Sequence, residues 1–472
     1  MRLSALSLLV FAGLTASVQA GHELTQLPSD PPPPSPGDVL NGDWGGARSA
    51  LANRGIVPSL SYVGEVMGNT TGGFRRATIY EGLLTLGLDV DLQKLVNWQG
   101  AKFHIGGLVP HGAGLTQKAL GDVGVVSFID AYDGARLDTL WLEQSFGGNR
   151  FSLRVGVLAL DDEFYQNTAE GLCVHAAYGW SSALGLNVPL PTYPYACLGA
   201  RLKAQLSSWS YVMVGAFDGN PAPGVFHDPS PNAVSSTDFN KHGTAFSLRR
   251  DEGAFLLAEA GVHFNDPPDP NAPPVPQTDW KKAVKEPRGL FTSVKVGVGY
   301  DTDTFSDSYD ATVIGLGSPT APDRARARGG DWAVYTQVDQ ELFREPGSDS
   351  QGLSAFLHGT YMPPDRNAFD FSGEAGLVYT GLIPKRDDDQ CGIGCALIHA
   401  SAPSVAATRD SNRATDTNSA VSPYELAFEA TYNAHLRPGV WLQPDLQFIV
   451  HPGATNAHGN ALVIGLRTTI NF

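Results

Sequence analysis

The sequence predicts an all-β protein, a transmembrane antiparallel β-barrel with a short helical segment near its N-terminus. Three observations predict this fold. Residues 461–472 (ALVIGLRTTINF) alternate between two faces and end on Phe472, which is typical of a strand with one apolar face. Residues 1–20 have the pattern of a secretory signal peptide. Between these ends, many short segments alternate with a period of two residues.

The two ends of the chain favour export to a membrane. Arg2 precedes an apolar run over residues 6–14, and small residues lead to Ala20, so cleavage is expected before Gly21. The apolar run is too short to span a bilayer as a helix. The last strand resembles the closing strand of bacterial outer-membrane barrels, whose terminal Phe is recognised by the barrel-assembly machinery, so Phe472 is the expected contact. An ordinary edge strand is the alternative for this segment.

The composition agrees with a barrel that has a wet interior. The chain has 53 Gly and 33 Pro, and 10% of its residues are aromatic. Only 17% are charged, below the ~25% of typical soluble domains. Glycine suits turns, aromatic residues suit the interfacial belts, and polar residues suit a water-filled lumen. The formal charge of −16, from 32 basic and 48 acidic side chains, argues against a nucleic-acid partner, and acidic surface loops explain it.

The chain divides into three predicted parts. Residues 1–20 are the signal peptide, and residues 21–40 are a flexible spacer. The spacer contains the Pro-rich tract 28–36 (PSDPPPPSP), which favours an extended conformation. Residues 41–472 are the barrel domain, including its N-terminal helix.

Periodicity places the elements of this domain. A short helix is predicted around residues 48–54, with Gly55 as its C-terminal stop. From residue 57 onward the pattern is that of strands. The segments that alternate are 80–92, 139–146, 151–158, 199–206, 292–300, 332–342, 353–361, 369–382, 424–436, 440–451 and 461–472. Alternation alone does not say which face of the sheet is inside, since a soluble sandwich would bury the apolar face. The signal peptide and Phe472 favour a barrel whose apolar face contacts lipid on the outside and whose polar face contacts water on the inside.

Three longer gaps interrupt the strands, at residues 221–241, 265–287 and 386–423. Each is polar and rich in Pro, Ser, Asp or Asn. We interpret them as long extracellular loops, because outer-membrane barrels combine short periplasmic turns with long outer loops.

The four cysteines form two local groups. Cys173 is grouped with Cys197, and Cys391 with Cys395. In an oxidising exported setting, local loop disulfides within each group are expected rather than metal ligation, although sequence does not fix the pairing. The second group has the wrong spacing for a metal or redox motif, so no metal site is predicted.

Enzyme motifs are incomplete. Residues 179–183 (GWSSA) approach a nucleophile elbow but lack its closing Gly. Residues 301–312 begin like a calcium loop but have Ser at position six and Thr at position twelve. There is no Walker loop, no Gly-x-Gly-x-x-Gly and no His-Glu-x-x-His. No enzyme activity and no cofactor are predicted, and an enzyme built from scattered Ser, His and Asp residues is a remote alternative.

Several blocks of sequence resemble the carbohydrate-selective porin family, the OprB-type outer-membrane porins. The blocks are residues 42–48 (GDWGGAR) with Leu51 and 55–56, residues 140–144 (LWLEQ), and residues 440–453 (VWLQPDLQFIVHPG) continuing through 465–467 to Phe472. The resemblance covers almost the whole mature chain. The Pro-rich spacer, the cysteines and the gap 386–423 depart from it. It implies a barrel of 16 antiparallel strands in the outer membrane, passing sugars, glucose in particular, down their gradient.

A selective sugar channel needs charged residues for the hydroxyls and aromatic residues for the ring face. Candidates for this lining alternate with apolar neighbours or precede a strand: Arg75, Arg76, Glu81, Trp141, Glu143, Arg154, Arg201 and Glu374, with Lys203 and Arg467 as further inward charges. A general small-solute porin and a surface carbohydrate-binding β-protein without a channel are the alternatives. The preferred sugar, the loop that narrows the pore, and the choice between a monomer and a homotrimer stay open.

Overall fold

The chain forms a closed barrel of sixteen antiparallel strands. The computed structural model describes residues 39–221, 240–244, 246, 248, 253–266, 289–416 and 421–472. Every strand pairs with its neighbours in sequence, and the barrel closes where β1 pairs with β16. The predicted fold class is therefore confirmed. No helix among the described residues has the length and apolarity that crossing a membrane requires.

The strands cover most of the described chain. They are β1 (Ile56–Gly73), β2 (Thr78–Asp91), β3 (Ala101–Gly112), β4 (Arg136–Phe146), β5 (Phe151–Leu158), β6 (Cys197–Ser207), β7 (Ser210–Asp218), β8 (Ala254–Phe264), β9 (Thr292–Ser306), β10 (Ala327–Arg344), β11 (Gly352–Tyr361), β12 (Phe369–Thr380), β13 (Gln390–Ala400), β14 (Tyr424–Arg437), β15 (Val440–Val450) and β16 (Gly459–Asn471). Within the described residues, the α-helices are Ala47–Asn53, Leu92–Val96, Ser182–Asn187, Ser308–Gly315 and Ala402–Thr415, and other helical turns lie at Trp44–Gly46, Thr116–Leu120, Leu160–Asp162 and Glu170–Leu172.

The alternation has its apolar face outside. In β15, Pro444, Leu446 and Phe448 are exposed, while Asp445 and Gln447 between them are buried inside the barrel. The same division recurs around the wall, where exposed large side chains such as Val155 (41%), Leu202 (39%) and Ile464 (52%) alternate with buried polar ones. An apolar outer face and a polar inner face are the arrangement of a membrane barrel and the reverse of a soluble sandwich.

The helix Ala47–Asn53 joins the N-terminal segment to the end of β16. Arg48 is buried, its guanidinium lies over the Trp44 ring at 4.3 Å, and its Nη2 donates to the carbonyl oxygen of Phe472 at 2.8 Å. Gly55 follows the helix with a φ of 84°, a conformation that favours glycine. This agrees with the predicted helix and its stop. The role of Phe472 in assembly stays a prediction.

The connections are unequal at the two ends of the barrel. At the end of the barrel where residues 39–55 and Phe472 lie, most turns are short, such as 147–150, 208–209 and 438–439. The opposite, outer end has long loops, of which we name two: outer loop 2 (residues 113–135) and outer loop 3 (residues 159–196).

Two predicted outer loops are misplaced. The gap 265–287 connects β8 to β9, so it belongs to the end with the short turns. The gap 386–423 is not one loop, because it contains β13 and the helix Ala402–Thr415. Most of the third predicted loop, 221–241, and most of 265–287 lie outside the described residues, as do the predicted signal peptide and nearly all of the spacer.

The predicted disulfides are not formed, and all four cysteines are free. Cys391 and Cys395 lie four residues apart on β13, a separation of roughly 13 Å along a strand, whereas the Cα atoms of a disulfide are about 4.4–6.8 Å apart. Cys173 and Cys197 are both buried, but they belong to different apolar clusters.

Candidate channel constriction

Outer loop 3 crosses the lumen. It leaves β5 and returns at β6, yet its middle contacts strands on the opposite side of the barrel, which we call the far wall (β10–β15). The Thr168 amide donates to Asp339 at 2.9 Å, and the amides of Val174 and His175 donate to the two carboxylate oxygens of Glu429 at 2.6 and 3.0 Å. The loop therefore narrows the channel.

Outer loop 2 reaches the same wall. The amides of Val123 and Gly124 donate to Glu425 at 2.8 and 2.7 Å, and Gln447 donates to the carbonyl oxygen of Val126 at 2.9 Å. Hydrogen bonds between carboxylates and backbone amides are stronger than neutral ones. Both loops are thus fixed by inward polar side chains of β14 and β15, and they narrow the pore together.

Outer loop 3 also packs by apolar contacts. A Cβ at Gly394 of β13 would lie 2.7 Å from the Tyr178 hydroxyl, and a Cβ at Gly392 would lie 2.9 Å from Leu172. These two glycines on the inner face therefore make room for the loop. Met67, Phe356 and other buried wall residues complete the same cluster.

A charged group on strands β4, β5 and β6 holds the start of outer loop 3. Glu143, Arg154 and Arg201 lie side by side in register, and Glu163 of the loop completes what we call the near-wall cluster. Arg201 Nη2 lies 2.6 Å from Glu143 Oε2 and 2.5 Å from Glu163 Oε1, and Arg154 Nε lies 3.0 Å from Glu143 Oε2. The two cations are matched by two carboxylates, so the cluster is neutral.

Aromatic rings extend the near-wall cluster along the inner face. The guanidinium of Arg154 lies 3.7 Å from the Trp141 ring centroid, a close cation–π contact. The ring of His104 also stacks on Trp141, with the two ring centroids 5.1 Å apart. Trp141 is 7% exposed, so it orients Arg154 more than it presents a free surface.

A second ion pair lies where the barrel closes. Arg467 of β16 donates to Glu65 of β1, and its guanidinium lies 4.2 Å from the ring of Phe128 in outer loop 2. Phe128 is 42% exposed. Glu81 and Asp130 belong to the same electrostatic neighbourhood. Acidic groups thus outnumber cations on this side of the lumen.

Two carboxyl groups in the loops, those of Asp130 and Asp161, have raised pKa values, which favour their neutral form. Burial, with a smaller contribution from Glu65, raises the pKa of Asp130 to about 6. Burial also raises the pKa of Asp161 to about 6, although the backbone amide of Tyr193 donates to it at 3.3 Å and opposes the shift. Both groups therefore change charge near neutral pH.

Outer loops 2 and 3 line a cavity of about 320 Å³ between them. Trp180, Tyr193 and Tyr195 supply aromatic surface, and Ser182 and Thr192 lie among the lining residues. Tyr195 lies under the guanidinium of Arg136 at 5.2 Å. A cavity with aromatic walls and a few polar groups is typical of small-molecule sites.

The structure brings some predicted site residues together and separates others. Glu143, Arg154, Arg201 and Trp141 form one group, as described, and Glu81 lies near the second ion pair. Arg75 and Arg76 are exposed in the β1–β2 loop at the outer end. Glu374 is 1% exposed and lies beneath outer loop 3, so it does not line the open lumen.

The incomplete enzyme motifs have structural roles. The Ser181 hydroxyl accepts a hydrogen bond from the Leu184 amide at 3.2 Å and caps the helix Ser182–Asn187. Asp301 lies within strand β9, where its carboxylate accepts from the Asp303 amide at 2.8 Å.

A closed sixteen-stranded barrel with an apolar outer face, a polar inner face and two loops across its lumen defines the class of outer-membrane channels. Residues 75–472 match the family described as carbohydrate-selective porin, OprB family, and the chain belongs to that family. Its place is therefore the bacterial outer membrane, and family and fold together indicate a channel rather than an enzyme.

Individual relatives are similar over nearly their whole length. The chain is 27% identical over 452 residues to Porin B of Pseudomonas aeruginosa, and the aligned region spans 91% of this chain and 90% of that protein. It is 23% identical over 452 residues to the putative porin QuiX of Acinetobacter baylyi, spanning 92% and 93%. The high-pH structure of Pseudomonas putida OprB is similar in fold, with a TM-score of 0.77 at 24% identity over 93% of this chain and 99% of that one.

Proposed function

We propose that this porin passes glucose-like monosaccharides by passive, selective diffusion. The observation that carries the proposal is the crossing of the lumen by outer loops 2 and 3, because it forces a solute to pass between the loops and a wall of charged and aromatic side chains. Membership of a carbohydrate-selective family supports the same class of solute.

The chemistry of a sugar fits this lining. Its hydroxyls both donate and accept hydrogen bonds, and its C–H faces are apolar, so paired charges and aromatic rings suit it better than either alone. Glu163 lies at the near-wall cluster, where its side chain is 18% exposed and that of Arg154 is 5% exposed. We assign Glu163 to the hydroxyls and Arg154 to the positioning of its carboxylate. Contacts must stay few, because a tightly held solute does not leave a channel.

The cavity between the loops is the proposed waiting position. Trp180 and Tyr193 offer ring faces there, and the cavity volume of about 320 Å³ falls at the lower end of the roughly 300–1,000 Å³ of small-molecule sites. A sugar would stack in this cavity and then pass to the charged lining of the wall.

Glucose block of single-channel current tests the proposal. The wild-type channel in a planar bilayer should lose current as glucose is added. Glu163→Gln and Trp180→Ala should each weaken this block roughly five-fold in apparent affinity, since each removes a contact of about 1 kcal/mol. Trp332→Ala is the matched control, because Trp332 is 38% exposed on the outer face of β10.

The result also separates the alternatives. A general small-solute porin would conduct ions with no glucose block in the wild type. A carbohydrate-binding surface protein would bind glucose but form no channel. Block that persists unchanged in both variants would leave a sugar channel whose selective residues lie elsewhere.

A further inference from the structure

We propose that Glu170, His358 and Glu374 form a zinc site that fastens outer loop 3 to the far wall. The proposal does not depend on which solute the channel passes, because its test measures bound metal and not transport.

The fold brings three distant residues together. His358 of β11 and Glu374 of β12 are direct register partners on the inner face of the wall. Glu170 comes from outer loop 3, where it begins the helical turn Glu170–Leu172, and its amide donates to Asn167 Oδ1 at 3.2 Å. No spacing in the sequence predicts this group, because the loop and the two strands are far apart along the chain.

The three side chains are buried, and the atoms that face one another have no hydrogen-bond partner among the described residues, while His358 Nε2 lies 3.5 Å from Thr360 Oγ1. Glu170 is 0% exposed, and His358 and Glu374 are each 1% exposed. Within the described residues, neither oxygen of Glu170, neither oxygen of Glu374, nor Nδ1 of His358 has a hydrogen-bond partner. Lys295 is an electrostatic neighbour of Glu170, but its ammonium donates to the Gln166 carbonyl.

Burying this group of side chains costs free energy unless a hydrogen-bond partner or an ion compensates the carboxylates. Buried charges in proteins are paired, hydrogen-bonded or coordinated to metals, because an isolated buried carboxylate loses its hydration without compensation. Glu429 shows the ordinary solution on the same wall, since it is also buried but accepts two backbone amides. Glu170 and Glu374 lack that solution.

The distance from His358 to Glu374 fits a shared ion, and the distance from His358 to Glu170 is slightly longer than in a bound site. His358 Nδ1 lies 3.4 Å from Glu374 Oε2 and 3.8 Å from Glu170 Oε1, and the donor atoms of all three residues lie within 4.8 Å of one another. Donors bound at 2.0–2.2 Å in a tetrahedral site are roughly 3.3–3.6 Å apart. In a direct pair such as His399 with Asp370, by contrast, the separation is 2.6 Å.

The donor set selects the metal. Two carboxylates and a neutral imidazole balance the charge of a divalent ion, so the buried group becomes neutral as a whole. Imidazole suits zinc, whereas calcium takes six to eight oxygen ligands and magnesium keeps several waters. A second carboxylate oxygen of Glu170 or Glu374 is available for the fourth position.

Metal content and coordination are the test. The folded barrel, purified in detergent, is stripped with a chelator, equilibrated with zinc chloride alone and assayed by mass spectrometry. We expect one zinc per chain. X-ray absorption at the zinc edge should give only nitrogen and oxygen neighbours at about 2.0–2.2 Å, with no sulfur near 2.3 Å. This spectroscopic readout uses the unaltered protein, so it does not depend on whether a variant folds.

Variants then assign the site. Glu374→Gln and His358→Gln should each weaken zinc binding at least ten-fold, by analogy with the effect of altering residues that support metal ligands. His399→Gln, which alters a histidine–carboxylate pair outside the group, should keep one zinc per chain. Wild-type protein without stoichiometric zinc, a sulfur neighbour at the zinc edge, or equal binding in the heat-modifiable, folded Glu374→Gln protein would each overturn the proposal.

Discussion

The near wall and the far wall hold outer loop 3 by different chemistry. On the near wall, side chains meet side chains, since Arg154 and Arg201 pair with Glu163 of the loop. On the far wall, carboxylates of the strands accept from backbone amides of the loop, as Glu429 does. The ion pairs of the near wall require a particular loop residue, whereas the carboxylate–amide hydrogen bonds of the far wall require only a backbone conformation.

This difference predicts how each attachment fails. Removing a cation from the near-wall cluster leaves carboxylates without compensation, which is expensive in a buried setting. Removing one acceptor on the far wall leaves one or two amides unpaired, which costs less. The near wall should therefore be the more sensitive of the two, and the variants Arg201→Met and Glu429→Gln rank the two attachments.

Arg201→Met should have the largest effect. Arg201 is 2% exposed and contacts Glu143, Glu163 and Ser152, so its loss leaves Arg154 to compensate two carboxylates. Removing one member of a buried ionic group costs about 3–5 kcal/mol. The measurement is the free energy of unfolding of the refolded barrel in urea.

Two further variants make this result specific. Arg201→Lys should recover part of the loss, because an ammonium keeps the charge but not the bidentate geometry. Arg324→Met, at an exposed residue of the outer loop between β9 and β10, should stay within about 0.5 kcal/mol of wild type. An Arg201→Met barrel as stable as the Arg324→Met barrel would show that the near-wall cluster does not hold the loop.

The outer face of the barrel was predictable from sequence, and the inner face less so. Lipid selects a continuous apolar face, so β15 and β16 alternate visibly. Strand β13 escaped prediction because its inner face carries Gly392 and Gly394, which make room for Tyr178 and Leu172 of outer loop 3. The pattern of a strand is obscured when a loop packs against it.

The same reason limits prediction of the site. Glu143, Arg154 and Arg201 were identifiable as inward charges on alternating strands, but their partner Glu163 lies in a loop with no period. One signal for the inward loop was present, since residues 171–200 contain no Asp, Glu, Lys or Arg. An uncharged stretch of that length between strands favours burial, and here it is buried inside the barrel.

Glu429→Gln should have an intermediate effect. Glutamine keeps one neutral carbonyl acceptor, so one of the amides of Val174 and His175 loses its acceptor and the other keeps only an uncharged one. The expected cost is about 1–3 kcal/mol. Because the middle of outer loop 3 is then held less firmly, single-channel conductance should rise and its current noise should increase.

The matched control is Glu345→Gln. The carboxylate of Glu345 accepts a hydrogen bond from the Tyr379 hydroxyl at 2.9 Å, and it lies away from outer loops 2 and 3. It should leave conductance unchanged. If Glu429→Gln destabilises the barrel as much as Arg201→Met does, the proposed ranking of the two walls is wrong.

The smallest effect should come from pH and should act on the charge of the lumen. The raised pKa values of about 6 for Asp130 and Asp161 mean that both lose their proton as pH rises through 6, so cation preference should fall between pH 7 and pH 5. Each folded-state pKa lies above the unfolded value of about 3.9, so the resulting stabilisation is present below pH 4 and is lost as pH rises through 6.

Histidines titrate in the same range, and the Asp130→Asn/Asp161→Asn protein isolates the contribution of the two aspartates. In reversal-potential measurements under a salt gradient, that protein should show a smaller pH dependence than wild type, while Asp323→Asn, at an exposed residue of a different outer loop, should match wild type. Identical pH profiles for the double variant and wild type would mean that neither carboxyl contributes to the charge that permeating ions meet.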